Sequence, residues 1–154
     1  MKRYVIVGDG VAGARASIKI RDTDPEGDIQ IFTEEACPFY YRVRFPELIA
    51  GDIKIKDIII HTKEYYQNKK ISLHLEERVT GGDPQKKEIT TQLGRSYPYD
   101  QLLLATGGYA FVPPIRGVEK KGVFTLRSMN DAIGFMEFMP GVKQAILIGG
   151  GLVG

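Results

Sequence analysis

Three glycines, Gly8, Gly10 and Gly13, stand at GxGxxG spacing in the stretch VIVGDGVAG near the start of this sequence of 154 residues. The spacing serves a defined chemistry. Gly8 permits a tight turn, Gly10 lets a pyrophosphate approach the backbone with no Cβ in the way, and Gly13 lets the following helix pack close to the preceding strand. The N–H groups at the helix start then face the phosphate, helped by the helix dipole. Glycine-rich turns are common, so context carries the reading: a strand precedes, a helix pattern follows, and Glu34 or Glu35 stands where an acid accepts ribose hydroxyls, about twenty residues on. Asp9 places a negative charge beside the expected pyrophosphate, so its side chain is expected to point away. A second GxGxxG, at Gly149, Gly151 and Gly154, follows the apolar run Ala145–Ile148 and reads as the strand and turn that open another nucleotide unit.

Other reactive residues are sparse. Cys37 is the only cysteine, which excludes an internal disulfide and a multi-cysteine metal site and suits a reducing cytoplasm. Beside Pro38, with nothing to depress its pKa, it reads as a buried or inert thiol. His61 and His74 lack the cysteines or paired acid of a metal site. Basic residues number 21 against 19 acids and are scattered in ones and twos, so no nucleic-acid footprint is expected. No apolar stretch approaches the roughly 18 residues of a membrane span. The apolar run after Met1-Lys2-Arg3 ends at Gly8, short of the roughly 7–15 residues of a signal peptide. A soluble, cytoplasmic chain is expected.

The elements that must position the first motif follow from periodicity. Residues 3–7 read as a strand, Ala12, Ala16 and Ile20 recur at helical spacing until Asp24-Pro25-Glu26-Gly27, and Ile29–Thr33 supplies a second strand. A crossover helix makes those strands parallel, so the fold class is α/β, a Rossmann-like fold on a parallel sheet. Residues 38–51 read as a loop leading into a short helix, Pro46 to Ala50, closed by Gly51. Glu64 to Lys69 is another short helix and Ile71 to Leu75 a third parallel strand. Residues 76–99 alternate as a hairpin or meander with Lys86-Lys87 near its tip. Leu102–Ala105 reads as a buried central strand, and a helix runs from about Asn130 to Met139. The proline and glycine content of FVPPIRGVEKKG places a boundary near residue 113, giving a first domain over 1–113 and a linker with the beginning of a second unit over 114–154.

Four stretches in order, VIVGDGVAG, YDQLLLATGG, VFTLRSMNDA and AILIGGGLVG, resemble the FAD-dependent pyridine nucleotide-disulfide oxidoreductase superfamily over essentially the whole chain. Within it, PFYYRVRFPELIAG looks most like the NADH:rubredoxin reductases and the large subunit of NADH-dependent nitrite reductase, with Val43 where those carry proline. The resemblance implies that Gly8, Gly10, Val11, Ala12 and Gly13 hold the FAD pyrophosphate and that Glu34, with Glu35 as the other acid at this strand end, holds the adenosine ribose. Arg42 and Arg44 would approach the pyrophosphate or flavin; the bland alternative is a solvated pair in a loop. Val79 would contact adenine by its backbone, Ala105, Thr106 and Gly107 would lie beside the cofactor, and Arg127 would brace the flavin side; sheet core alone also accounts for Val79. Gly149, Gly151 and Gly154 would open an inserted NAD(P)H domain, expected to be cut off after its phosphate loop and so unable to bind NAD(P)H here.

In this family hydride passes from NAD(P)H to FAD, and the reduced flavin hands electrons onward. The redox cysteines of its disulfide reductases and single-cysteine oxidases have no counterpart here, because Arg42, Val43 and Arg44 fill that place and Cys37 comes too early. The resemblance therefore implies delivery to a redox acceptor such as rubredoxin, a nitrite reductase centre or a small molecule, with a homodimer open to the chain. A non-catalytic fragment or split flavin-binding module needing a partner chain is the competing reading. NADH and NADPH are not separated, since the ribose-reading residue of the second unit falls beyond Gly154.

Overall fold

The computed structural model of the protein describes residues 1–150, so Gly151 and Gly154 of the second motif lie outside the described residues. The chain divides into two compact units, Met1–Tyr109 and Ala110–Gly154. Among the described residues, no helix is long and apolar enough to cross a membrane.

The first unit begins with strand β1 (Arg3–Val7), helix α1 (Val11–Thr23) and strand β2 (Asp28–Phe32). Pro25 disfavours helical backbone at Asp24, and α1 ends there. Arg21, in the last turn, donates to the carbonyls of Asp24, Pro25, Lys69 and Lys70, which ties the end of α1 to the chain entering β3 (Ile71–His74). Strand β7 (Gln101–Leu104) completes a four-stranded sheet in the order β3-β2-β1-β7, with every neighbouring pair parallel.

Alternation along the strands divides the core. Ile6, Ile29, Ile31 and Ile71 face one way, against Tyr66 of α3 (Lys63–Asn68) and the α1 residues Ala16, Ile18 and Ile20. Val5 and Phe32 face the other way, against Ile89 and Tyr99. Ile89 belongs to a three-stranded antiparallel meander, β4 (Val79–Asp83), β5 (Glu88–Thr91) and β6 (Ser96–Pro98), with Lys86 and Lys87 exposed at its first turn. The short helix α2 (Phe45–Ala50) is closed by Gly51 in a left-handed conformation.

Three expectations are corrected. The buried face of α1 is Gly13, Ala14 and Ser17, and Ala12 is exposed, because the helix lies so close to β1 that only small residues fit between. Strand β7 is an edge strand of the sheet instead of a central one, with Leu104 67% exposed, since among the described residues it pairs with β1 alone. Ala145–Ile148 forms no strand, because no described segment pairs with it, and Ile146 is 91% exposed.

The second unit holds α4 (Met129–Phe138), opened by a capping box in which Ser128 Oγ accepts from the Asp131 N–H and Asp131 accepts from the Ser128 N–H. Phe124 packs against Phe135 and Phe138 with ring centroids 5.3 Å away in each case.

The contact between α1 and β1 is tight enough to test. A Cβ on Gly13 would fall 1.9 Å from the Gly8 carbonyl oxygen and 3.2 Å from Ile6 Cγ2. Gly13→Ala is therefore expected to destabilise the protein by about 1–3 kcal/mol in urea unfolding, despite the gain of roughly 1 kcal/mol in helix propensity. Gly81→Ala, where a Cβ meets nothing within 4 Å, is the control and should stay within about 0.5 kcal/mol.

Candidate functional site

The three motif glycines prove to have different physical reasons. Gly8 has φ +108°, and a Cβ there would lie 2.2 Å from the Ala105 carbonyl oxygen, so the turn and the β1–β7 crossover both demand it. Gly13 answers to the helix–strand contact. Gly10 answers to neither: its φ is −88°, and the nearest atom to a Cβ there is Arg42 Nη1 at 3.8 Å. The fold itself would accept a side chain at Gly10.

The start of α1 is correspondingly open. Gly10 is its N-cap and provides no side-chain cap, and the first turn carries no acid. The N–H groups of Val11, Ala12 and Gly13 belong to the opening turn, which has no helical acceptors of its own, and Val11 and Ala12 are exposed. Positive partial charge and free donors are thus directed outward beside Gly10. The turn is held by backbone bonds from the Gly8 N–H to the Phe32 carbonyl at 2.8 Å and from the Ala105 N–H to the Val7 carbonyl at 2.8 Å. Thr106 and Gly107 follow, the latter with φ +71°.

Asp9 points inward, as expected. It is 8% exposed, and its carboxylate accepts from the Phe39 N–H at 2.9 Å and from the Tyr66 hydroxyl at 2.6 Å. Burial, with Glu35 adding repulsion, raises its pKa to about 6 against the pull of the two donors and of Arg42. The same burial pushes Tyr66 and Tyr40 above the ordinary tyrosine range. Cys37 is pushed up to about 11, chiefly by burial and then by Glu35, which makes it a poor nucleophile at neutral pH.

The two acids after β2 separate. Glu35 accepts from the Tyr40 hydroxyl and from the Arg42 guanidinium, which in turn lies 4.7 Å over the Tyr40 ring. Glu34 is half exposed at the strand end, 3.5 Å from Arg78 Nε. Arg44 is turned elsewhere, to the Glu47 carboxylate at 2.6 Å and the Asp57 carbonyl at 3.0 Å. Val79 starts β4 opposite Thr91 and packs against the cluster around Val5 and Phe32.

Arg127 and Gly149 belong to the second unit; the Arg127 N–H donates to Asp131, and Gly149 has φ +114°. The structure thus gathers Gly8, Gly10, Gly13, Ala105 and Arg42 at one turn and leaves Arg44 apart from it. Sequence reasoning missed the roles of Phe39 and Tyr66, which fasten the turn through Asp9, and of Tyr40, which bonds Glu35; Tyr66 lies 57 residues from the acid it serves.

His74 ends β3 stacked on Phe32, with ring centroids 4.3 Å apart, and its Nδ1 is 3.5 Å from the buried Glu77. Burial lowers its pKa against the opposing pull of Glu77. Among the described residues, no group of His, Cys, Asp and Glu could hold a metal ion.

A glycine turn between a central parallel strand and an uncapped helix is the arrangement of an α/β fold of the Rossmann type. The chain belongs to the pyridine nucleotide-disulphide oxidoreductase family, whose model matches residues 2–154. It is 38% identical over 154 residues to the nitrite reductase [NAD(P)H] of Bacillus subtilis (strain 168), covering 99% of this chain and 19% of the relative. It is 30% identical over 151 residues to the rubredoxin-NAD(+) reductase of Pseudomonas putida, covering 97% of this chain and 39% of the relative. Among solved structures, NADH:rubredoxin oxidoreductase from Clostridium acetobutylicum superposes with a TM-score of 0.76 at 30% identity, over 88% of this chain and 35% of that one. The chain thus spans between a fifth and two fifths of the length of these relatives.

The buried acid gives a pH prediction with a definite sign. The Asp9 carboxyl keeps its proton up to about pH 6 when folded, against 3.8 ordinarily. The contribution of this carboxyl to folding is therefore fully present below about pH 4 and is lost as pH rises through 6. Relative to Asp9→Asn, the wild-type protein should lose on the order of 2–3 kcal/mol between pH 4 and pH 7 in chemical denaturation. Parallel stability curves for the two proteins would contradict this.

Proposed function

We propose that this chain is the FAD-binding portion of an NAD(P)H-dependent flavoprotein oxidoreductase that passes electrons through FAD to a redox acceptor without a redox-active disulfide. The observation that carries the reading is Gly10, a glycine that neither backbone conformation nor packing requires, set before an uncapped helix. Space without a structural use at the point where helix dipole and N–H donors converge suits the pyrophosphate of a dinucleotide.

The residues present fit FAD. Gly8, Gly10, Val11, Ala12 and Gly13 would hold the pyrophosphate, Arg42 would meet its charge, and exposed Glu34 would accept the ribose hydroxyls. Glu35 serves Arg42 and Tyr40 in place of the ribose. Val79, Ala105, Thr106 and Gly107 keep the roles of lining the cofactor, and Arg127 that of bracing the flavin side. When bound, FAD supplies the hydride-accepting and electron-releasing chemistry, and the protein supplies position and field. The inert Cys37 and the Arg42-Val43-Arg44 run favour electron release to a protein or small-molecule acceptor over a thiol relay. The names of the relatives point to a nitrite reductase centre or rubredoxin as that acceptor.

A second reading, that the chain holds flavin only together with a further polypeptide, draws on β7, whose Leu103 and Leu104 are exposed along the free edge of the sheet.

Purification with added FAD followed by desalting decides between them: a retained flavin absorption band supports binding by this chain alone, and a colourless folded protein removes that reading. Gly10→Ala should weaken FAD affinity about tenfold or more, equivalent to some 1.4 kcal/mol, by titration. Its melting temperature should stay within a few degrees of wild type, because an alanine N-cap costs the helix only about 1 kcal/mol or less relative to glycine.

A further inference from the structure

The glycine turn carries an acid that dinucleotide binding does not ask for. A neutral small residue between Gly8 and Gly10 would make the same turn without setting a negative charge beside a phosphate site. Asp9 is instead spent on two long-range bonds, to the Phe39 N–H 30 residues away and to the Tyr66 hydroxyl 57 residues away. Three residues past Phe39, Arg42 reaches back until its Nη1 is 3.8 Å from the position of a Gly10 Cβ, oriented there by Glu35 and the Tyr40 ring.

We propose that Asp9 is a positioning residue: its carboxyl clamps the Phe39–Arg42 segment and α3 onto the glycine turn, so that the Arg42 guanidinium meets the phosphates of a bound dinucleotide at Gly10. The proposal rests on the reading of this turn as a dinucleotide site. Its parts are separable because hydrogen bonding and charge are separable at Asp9. A neutral carboxylic acid or an asparagine amide keeps both bonds, since the Tyr66 hydroxyl can either donate or accept, whereas alanine keeps neither. The groups facing the carboxyl are Tyr66 from α3, the Phe39 N–H, Arg42 and Cys37 from the following loop, and Glu35 from the end of β2. An arriving pyrophosphate adds its negative charge to that of Glu35, so binding favours the protonated acid.

The test uses the full chain, amide hydrogen exchange and FAD as the probe. Asp9→Ala should speed exchange at Phe39 by about tenfold or more and leave the β1 and β2 amides unchanged. It should also weaken FAD about tenfold or more, with both effects restored in Asp9→Asn. Wild-type FAD affinity should fall as pH rises through about 6, by no more than about tenfold per unit, and the Asp9→Asn profile should be flat. Should Asp9→Ala not fold, Tyr66→Phe removes one arm of the clamp and should shift exchange and affinity the same way by a few-fold. Unchanged Phe39 exchange in the alanine variant, or the same pH profile in the asparagine variant, overturns the proposal. If no form binds FAD although Phe39 exchange responds, the dinucleotide reading falls and takes the phosphate role of Arg42 with it, which distinguishes that failure from failure of the clamp.

Discussion

The contact of Gly13 with the Gly8 carbonyl is the constraint on which the first unit depends. It brings α1 so close to β1 that the residues of the helix buried completely are all small, and this proximity brings the helix start to the strand end with a turn of three residues. Gly8 is fixed by the same economy of space, because the Ala105 carbonyl occupies the volume a side chain would need. Core packing and the opening of the turn before α1 are therefore one geometric event. Larger residues on α1 would push the helix outward and move its N–H groups away from the carboxyl edge of the sheet.

Electrostatics follow from that geometry. The uncapped helix start is positive, and the fold surrounds it with acids whose charges are already engaged: Asp9 by a backbone amide and a hydroxyl, Glu35 by a hydroxyl and a guanidinium. An acid near an anion site is tolerable when its lone pairs are directed elsewhere and its proton is easily regained. Glu34, by contrast, is half exposed beside Arg78, and its carboxylate is accessible. Adjacent acids just past the end of β2 thus have opposite availability, Glu35 turned to Tyr40 and Arg42 and Glu34 to the exposed Arg78.

Much of this was legible in the sequence, for reasons specific to each element. The unit β1-α1-β2, α2 with its terminal Gly51, α3, β3 and the meander all announce themselves by short-range patterns that tertiary packing merely confirms. The buried face of α1 was not legible from apolar spacing, because closeness selects Gly13 and Ser17 over larger apolar residues. Leu102–Leu104 misled for the opposite reason: an apolar run signals burial, and only the pairing pattern of the sheet reveals that β7 has one neighbour among the described residues. At the candidate site, the glycines stand out by type and spacing and Arg42 was named only from the family resemblance, while Phe39, Tyr40 and Tyr66 act through a backbone amide and hydroxyls whose partners sequence spacing does not give. Gly151 and Gly154 lie outside the described residues, and the role of the second motif stays an expectation of the sequence.

The position of β7 also bears on the order in which the chain can assemble. β1 pairs with β2 in the register Arg3↔Asp28, but with β7 in the register Tyr4↔Gln101, so its second neighbour arrives almost a hundred residues later. Closing a loop of that length costs more entropy than closing the first crossover, and pairing of distant strands is characteristically slow. A chain emerging from the ribosome can form α1 and the β1–β2 pair well before the Ala105 carbonyl reaches Gly8. The glycine turn, first in the sequence, is then among the last parts of the unit to acquire its final surroundings. A partly folded form of this protein would hold a recognisable helix and strand pair while still lacking the finished glycine turn.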